Sequence, residues 1–233
     1  MTPIAQELRG WGCDLNTKLN GPMAARLAAA HVPASLDPAT PPIGFVARYV
    51  SLGQQQQGDL SIPETEAILA SGLALFAVQH CRSSQGGAGW ETSGARGASD
   101  GHWAALNAAG AGLITGIGIT VVLDLEDVAQ STWGAPTMEH ATEWCRQVAI
   151  GGFVPCVYVG FACGLSAEQL YEIPTCRRYW SDFGPRAVAT RGFAMKQHQQ
   201  TIIAGIQVDP DFAFEDQLGG TLVGMAPGLI TAA

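Results

Sequence analysis

The sequence predicts an α/β barrel of the eight-stranded TIM type, in an irregular form with five βα units followed by three strands. Three observations predict it. Apolar, β-branched runs alternate with helix-like segments through most of the chain, the signature of parallel sheet units. After residue 177 the alternation gives way to three strand-like runs with little helix between them. The 233 residues also sit close to the roughly 250 of such a barrel, and with 47% hydrophobic and 14% charged residues they can bury one large core.

The elements follow in order. Gly10-Trp-Gly-Cys-Asp14 reads as a short first strand, and Pro22 to Ala30 as the helix after it. Ile43-Gly-Phe-Val-Ala-Arg-Tyr-Val50 is the second strand. Ser61-Ile-Pro-Glu64 has the make-up of a helix start, with Ser as cap, an early Pro and a Glu three residues on. That helix closes at Gly72, and Leu73 to Gln79 forms the third strand. Ser83 to Ala98 is rich in Gly and Ser with Trp90 embedded, which predicts a long mobile loop able to cover a cleft. Asp100 then caps a helix through Ala109. Thr120-Val-Val-Leu-Asp-Leu-Glu-Asp127 is a strand buried on both faces that ends in three acids. Pro136 to Gly151 is the fourth helix, Val154 to Val159 the fifth strand and Ser166 to Tyr171 a short fifth helix. Arg177–Asp182, Gly192–Gln197 and Ile203–Asp209 complete the count as three strands. No repeat, low-complexity tract or linker divides residues 1–233, so a single domain is expected.

Composition excludes several partners. A net charge of −8 with only 12 Lys and Arg argues against nucleic acid, which needs clustered cations to neutralise phosphate. No window holds 18 uninterrupted apolar residues, so no membrane insertion is expected. The start, MTPIAQELRGWGCD, lacks the basic and apolar blocks of a secretory signal, so export or release by another route is the expectation. The six cysteines show no Cys-x-x-Cys pair and no zinc-ligand spacing. Reduced, structural thiols are expected, with Cys163 and Cys176 as a pair that an oxidising compartment could join.

In an α/β barrel the active site lies at the C-terminal ends of the strands. Those ends carry Asp14, Arg48 and Tyr49, Gln79 and His80, Asp124 and Glu126, Tyr158, Trp180 and Asp182, Gln197 and His198, and Asp209. On a strand, residues two apart point to one side, so Asp124 and Glu126 project together, with Cα atoms roughly 6.6 Å apart at about 3.3 Å per residue. Two carboxylates facing one cleft are what glycosidic bond cleavage requires, because one donates a proton while the other stays charged. A helix cap or a solvated loop also collects acids. Four acids (Asp14, Asp124, Glu126, Asp209) among aromatics suit a sugar, since aromatic rings stack on pyranose faces and carboxylates bind hydroxyls or transfer protons.

Trp11-Gly-Cys-Asp14, Ala47-Arg-Tyr49, Asp100-Gly before an Ala-rich helix, and Val122-Leu-Asp-Leu-Glu126 together resemble a bacterial glycoside-hydrolase-like barrel domain family, once classed as a domain of unknown function. That family is related to the family 25 lysozymes. Lys196-Gln197 followed by Gly205-Ile-Gln-Val-Asp209 also resembles the lysozyme ending. The resemblance runs from about Gly10 to Phe214 in element order as well as motifs. It implies the same arrangement of five βα units and three strands. It also implies cleavage of peptidoglycan between N-acetylmuramic acid and N-acetylglucosamine, with Glu126 as proton donor. Asp124 would orient the substrate N-acetyl group or a water, and Asp14 and Asp209 would complete the cleft. Substrate contacts are expected from these two acids and from Tyr49, Arg48, Gln79, Tyr158, Trp180 and Gln197. Many members have Asp where the lysozymes have Glu; this chain keeps Glu126. It departs from the lysozymes at Asp14-Leu-Asn-Thr, where a Val-Ser-type segment is usual, and at Val208-Asp-Pro-Asp211, where Val-Asp-Leu-Asn is usual.

Three readings result: a lysozyme-like hydrolase of cell-wall glycan, such as a phage or secreted lysin; a catalytically silent glycan-binding, virion or secretion-associated module on the same barrel; and, ranked last, a divalent-cation site of Asp124, Glu126 and Asp127. No cofactor and no metal are expected under the first two.

Overall fold

Period-two alternation sorts the apolar residues of this chain into two separate cores. One lies inside a ring of strands and holds Phe45, Ala47, Phe76, Val78, Val122, Cys156, Tyr158, Trp180 and Met195. The other lies between strands and helices and holds their alternate neighbours, among them Val46, Leu75, Val121, Leu123 and Val157. The computed structural model of the chain describes residues 2–80, 89–182, 188 and 190–228.

The strands are β1 (Ile4–Glu7), β2 (Gly10–Leu15), β3 (Phe45–Val50), β4 (Ala74–Gln79), β5 (Thr120–Leu125), β6 (Val154–Val159), β7 (Tyr179–Ser181), β8 (Met195–Gln197), β9 (Thr201–Ile203), β10 (Ile206–Ala213) and β11 (Val223–Ala226). The helices are α1 (Gly21–Ala28), α2 (Ile62–Ala70), α3 (Gly94–Gly110), α4 (Ala135–Ile150) and α5 (Ala167–Glu172). The ring runs β4-β3-β2-β10-β8-β7-β6-β5 and closes through β5 on β4, giving an eight-stranded barrel. β2 to β8 are parallel in sequence, while β10 runs antiparallel to both of its neighbours, β2 and β8. Five strand–helix units followed by helix-poor strands is therefore the architecture, as the sequence rhythm predicts.

The structure differs from the sequence reading in three respects. The last predicted strand, 203–209, is a hairpin of β9 and β10, and its barrel portion lies further on, where Asp209 pairs with Asp14 and Ala213 with Gly10. Asp209 therefore sits within β10 rather than at its end, but antiparallel direction still brings it to the C-terminal mouth of the parallel strands. β1 and β11, which pair with each other and attach to β4, carry no distinctive pattern and went unpredicted. Third, α3 starts at Gly94 with Ser93 as its cap, so Asp100 lies in mid-helix, buried, with a carboxylate oxygen 4.0 Å from His140 Nε2. Predicted loop residues 83–88 lie outside the described residues. Gly97 and Gly101 explain why α3 packs so closely on α4: a Cβ at either would run into the backbone of His140 or Trp144.

The supposed capping box at Ser61 is not formed. Ser61 makes no side-chain cap bond, and the Glu64 carboxylate instead accepts from Leu19 N at 2.6 Å and from Arg48 Nε at 2.7 Å. Arg48 and Glu64 form a fully buried ion pair; removing one partner of such a pair typically costs about 3–5 kcal/mol. Cys163 and Cys176 are both free thiols, as are Cys13, Cys145 and Cys156. Cys163 lies against the Leu165 carbonyl and Cys176 against that of Arg178, so they do not form the pair considered from sequence.

Candidate active site

Inward-facing positions at the C-terminal ends of β2, β3, β5, β6 and β8, with β10 returning beside them, converge on one cleft. Its outer part, about 350 Å³, is lined by Asp14, Tyr49, His80, Asp124, Glu126 and Asp209 among others. Its inner part, about 220 Å³, is lined by Tyr49, Val78, Asp124, Glu126, Tyr158, Trp180, Gln197 and Asp209. Asp124 and Glu126 belong to both parts. Asp124 is buried at the end of β5, while Glu126, two residues on and past the last strand residue, is half-buried.

A hydrogen-bonded chain runs beneath these acids. Tyr158 Oη donates to Gln197 Oε1 at 2.8 Å, Gln197 Nε2 donates to Asp14 Oδ2 at 2.8 Å, and Tyr49 Oη donates to Asp14 Oδ1 at 2.8 Å. Each member comes from a different strand, so the network exists only when the barrel is closed. The Trp180 ring meets Tyr158 edge-on at 4.8 Å, and His80 stacks on Tyr49 at 4.6 Å. Gln200 reaches Asp209 at 3.4 Å from the β9–β10 hairpin.

Burial dominates the electrostatics. The Asp14 carboxyl is pushed up to about 7, first by its burial and then by the Asp209 charge, against the opposing hydrogen bonds from Gln197 and Tyr49. Asp209 is raised by burial, with Gln200 opposing. Burial and the nearby acids also push both tyrosines, Tyr49 and Tyr158, above the usual phenol range. Asp14 thus exchanges its proton in the neutral range, where an ordinary aspartate is fully charged.

Two of the predicted contact residues are elsewhere. Arg48 and Gln79 occupy outward-facing positions of β3 and β4, one residue out of phase with Tyr49 and Val78. Arg48 is locked by Glu64 and by the Leu15 and Gly58 carbonyls. Gln79 donates to the Asp100 carbonyl at 2.7 Å and accepts from Trp144 Nε1 at 2.6 Å. Both fasten the helices to the barrel. His198 packs against Trp11 at 4.8 Å. Among the described residues no group of three or more His, Cys, Asp or Glu is placed to hold a metal ion, and this includes the Asp124, Glu126 and Asp127 set.

Three site features were missed. Gly160 follows β6, and a Cβ there would collide with Glu126; its smallness lets the acid lie against that strand. Trp90, read as part of a mobile cover, is instead buried. Its backbone exchanges hydrogen bonds with Asp127 and Ala129, its ring meets His140 at 5.2 Å, and its indole N–H donates to the Glu126 carbonyl at 2.6 Å. Trp90→Phe keeps the ring and removes that donor. The expected loss is about 1–2 kcal/mol of stability, read by urea unfolding; an unchanged midpoint would show that the indole hydrogen bond to Glu126 does not hold this segment in place. The third is Asp211, an inward-facing and fully buried neighbour of Asp209 on β10.

A family model described as an Rv2525c-like, glycoside hydrolase-like domain matches residues 39–212. No curated protein matches the chain. Among solved structures, an uncharacterized Bacillus stearothermophilus protein aligns with a TM-score of 0.62 at 16% identity, over 87% of this chain and 95% of its own. The Mycobacterium tuberculosis Tat-secreted protein Rv2525c aligns with a TM-score of 0.59 at 15% identity, over 90% and 98%. A Streptomyces coelicolor lysozyme aligns with a TM-score of 0.55 at 12% identity, over 91% and 95%. At these identities the likeness is one of fold.

Proposed function

Because the chain belongs to the Rv2525c-like, glycoside hydrolase-like domain family, we propose that it is a glycosidase acting on bacterial cell-wall peptidoglycan, with Glu126 as proton donor and Asp124 assisting. The observation that carries this reading is the presence of Asp124 and Glu126 in both parts of one cleft. A bound sugar at that position meets both carboxyl groups at once. The lysozyme with the same fold supports the choice of substrate class, and delivery to the wall by a phage or secretion route belongs to the same proposal.

Glu126, half-buried beside Gly160 and Tyr158, gives its proton to the departing glycosidic oxygen as positive charge develops on the sugar. Asp124, more deeply set, stays charged beneath the ring. It serves either to activate a water or to steady an attacking N-acetyl oxygen. Asp14, Tyr49, Gln197 and Tyr158 hold one another across four strands and present hydroxyl and amide groups to the sugar. Tyr158 and Trp180 supply apolar surface to the inner part of the cleft.

The test is release of soluble fragments from purified peptidoglycan. Wild type releases fragments carrying new reducing ends. Binding to the glycan without release would instead support a catalytically silent module.

A further inference from the structure

We propose that the cavity between Trp133 and residues 162–166 is a second carbohydrate subsite, holding a pyranose unit of the same glycan chain away from the bond at Glu126; this rests on the reading above. The cavity measures about 490 Å³ and is lined by Trp133, Gly134, Gly164, Leu165, Ser166 and Gln169 among others, within the range of small-molecule sites.

Its position is the first argument. The loop after β5 leaves the cleft at Glu126 and reaches the cavity at Trp133. The loop after β6 leaves the cleft at Gly160 and reaches the cavity at Ala162. The two run side by side, joined by Asp127 N to the Phe161 carbonyl at 2.8 Å, Val128 N to that of Ala162 at 3.0 Å and Gly134 N to that of Gly164 at 2.9 Å. A chain lying along this double strap passes from the acids to the cavity.

Surface chemistry is the second argument. Among the described residues the large aromatics that stand exposed are Trp133 at 46%, Phe161 at 69% and Tyr171 at 39%, all within residues 133–171. Trp133 lines the cavity, and Phe161 lies on the strap between the cavity and Glu126. Scattered exposed aliphatics need no explanation, but two large exposed aromatics, Trp133 and Phe161, beside a cavity and a cleft do. The Trp133 ring is already fixed: its indole N–H donates to the Val128 carbonyl at 2.9 Å, and Gly164 lets it lie against the backbone, since a Cβ there would stand 2.7 Å from its Cδ1. A ring held this way loses little freedom on stacking against a sugar.

The polar side of the cavity fits sugar hydroxyl and acetamido groups. Gln169 Oε1 accepts from Ser166 N at 2.9 Å, and Ser166 Oγ accepts from Gln169 N at 3.3 Å. That reciprocal pairing orients the Gln169 amide and leaves its Nε2, which lies over Gly134, to donate to a ligand. The apolar pocket at Pro3, Ile62, Leu69 and Met225 shares no lining residue with the cleft.

The probes are N-acetylglucosamine oligomers of two and of five units, titrated calorimetrically into the Glu126→Gln protein so that they are not consumed. Adding Trp133→Ala is expected to weaken the five-unit oligomer about tenfold, a stacking loss of about 1.4 kcal/mol, and to leave the two-unit oligomer unchanged. Trp133→Phe restores most of the loss, which separates stacking from folding. Equal binding of the longer oligomer with and without Trp133 overturns the subsite. Equal weakening of both oligomers overturns it too, and so does the absence of binding at either length. Fragment release from peptidoglycan by wild type is judged separately, so a failed subsite and a failed glycosidase give different results.

Discussion

Glu126→Gln lowers fragment release from peptidoglycan by about 10²–10⁴-fold, the range that a lost general acid removes, while the protein keeps its fold and its affinity for the glycan. The substitution is nearly isosteric, and Glu126 is only half-buried, so the cleft keeps its shape. What disappears is the transferable proton. Asp124→Asn is the informative companion, because Asp124 is buried and its carboxylate is asked to remain charged. A substrate whose leaving group needs no protonation would regain much of its rate in the Glu126 variant and little in the Asp124 variant. The two variants are compared by initial rates on one peptidoglycan preparation and on an activated aryl glycoside. Equal, small losses in both would remove the division of labour proposed here.

Asp211→Asn stabilises the protein at neutral and alkaline pH, and by progressively less as the pH falls toward 4. Asp211 is fully buried, and among the described residues neither of its carboxyl oxygens meets a partner at full hydrogen-bond geometry; Asp14 and the Trp180 indole are its nearest polar neighbours, in weak hydrogen-bonding contact. Burial first, then the Asp14 and Asp209 charges, raise it well above the usual carboxylate range. An acid raised on folding binds its proton more tightly in the native state. Its stabilising contribution is therefore complete below the unfolded value and is lost as the pH rises toward the folded one. Asp14, pushed up to about 7, works in the same direction, so the contribution of these two acids to native stability is lost as the pH rises from about 4 through 7. Asparagine has no proton to lose and escapes the penalty. Urea unfolding at pH 4, 6 and 8 checks this, and a variant less stable than wild type at pH 8 would contradict it.

How much of this was legible in the sequence depends on how local the signal is. The β5 acids were, because an apolar β-branched run ending in Asp-x-Glu fixes both the strand and the side to which the acids point. Asp14, Tyr49, Tyr158, Trp180, Gln197 and Asp209 were also read as strand-end residues, and the structure brings all six to the cleft. Arg48 and Gln79 were misplaced for one reason: proximity to a strand end was weighed without its phase. Tyr49 and Arg48 are adjacent, so only one of them faces inward, and the interior positions Phe45 and Ala47 fix which. The same period would have found Asp211, two residues beyond Asp209 on the same face. Trp90 and Gly160 left no such mark. Each acts through a contact with Glu126 from a segment distant in sequence or from another strand, and a Gly- and Ser-rich stretch around an indole reads locally as loop. Likewise the Glu64 carboxylate sits where a capping box would use it, but a buried guanidinium outcompetes the exposed helix end.

Cleavage of a glycosidic bond in this cleft, with Glu126 as the acid, leaves a chemical signature on the products. Its most direct test is mass spectrometry of borohydride-reduced fragments after purified peptidoglycan is incubated with wild type and with Glu126→Gln. Wild type is expected to yield newly reduced amino-sugar ends that identify the bond cut, and the variant none above background. Wild type that yields no new reducing end, or a variant that yields as many as wild type, would contradict this assignment.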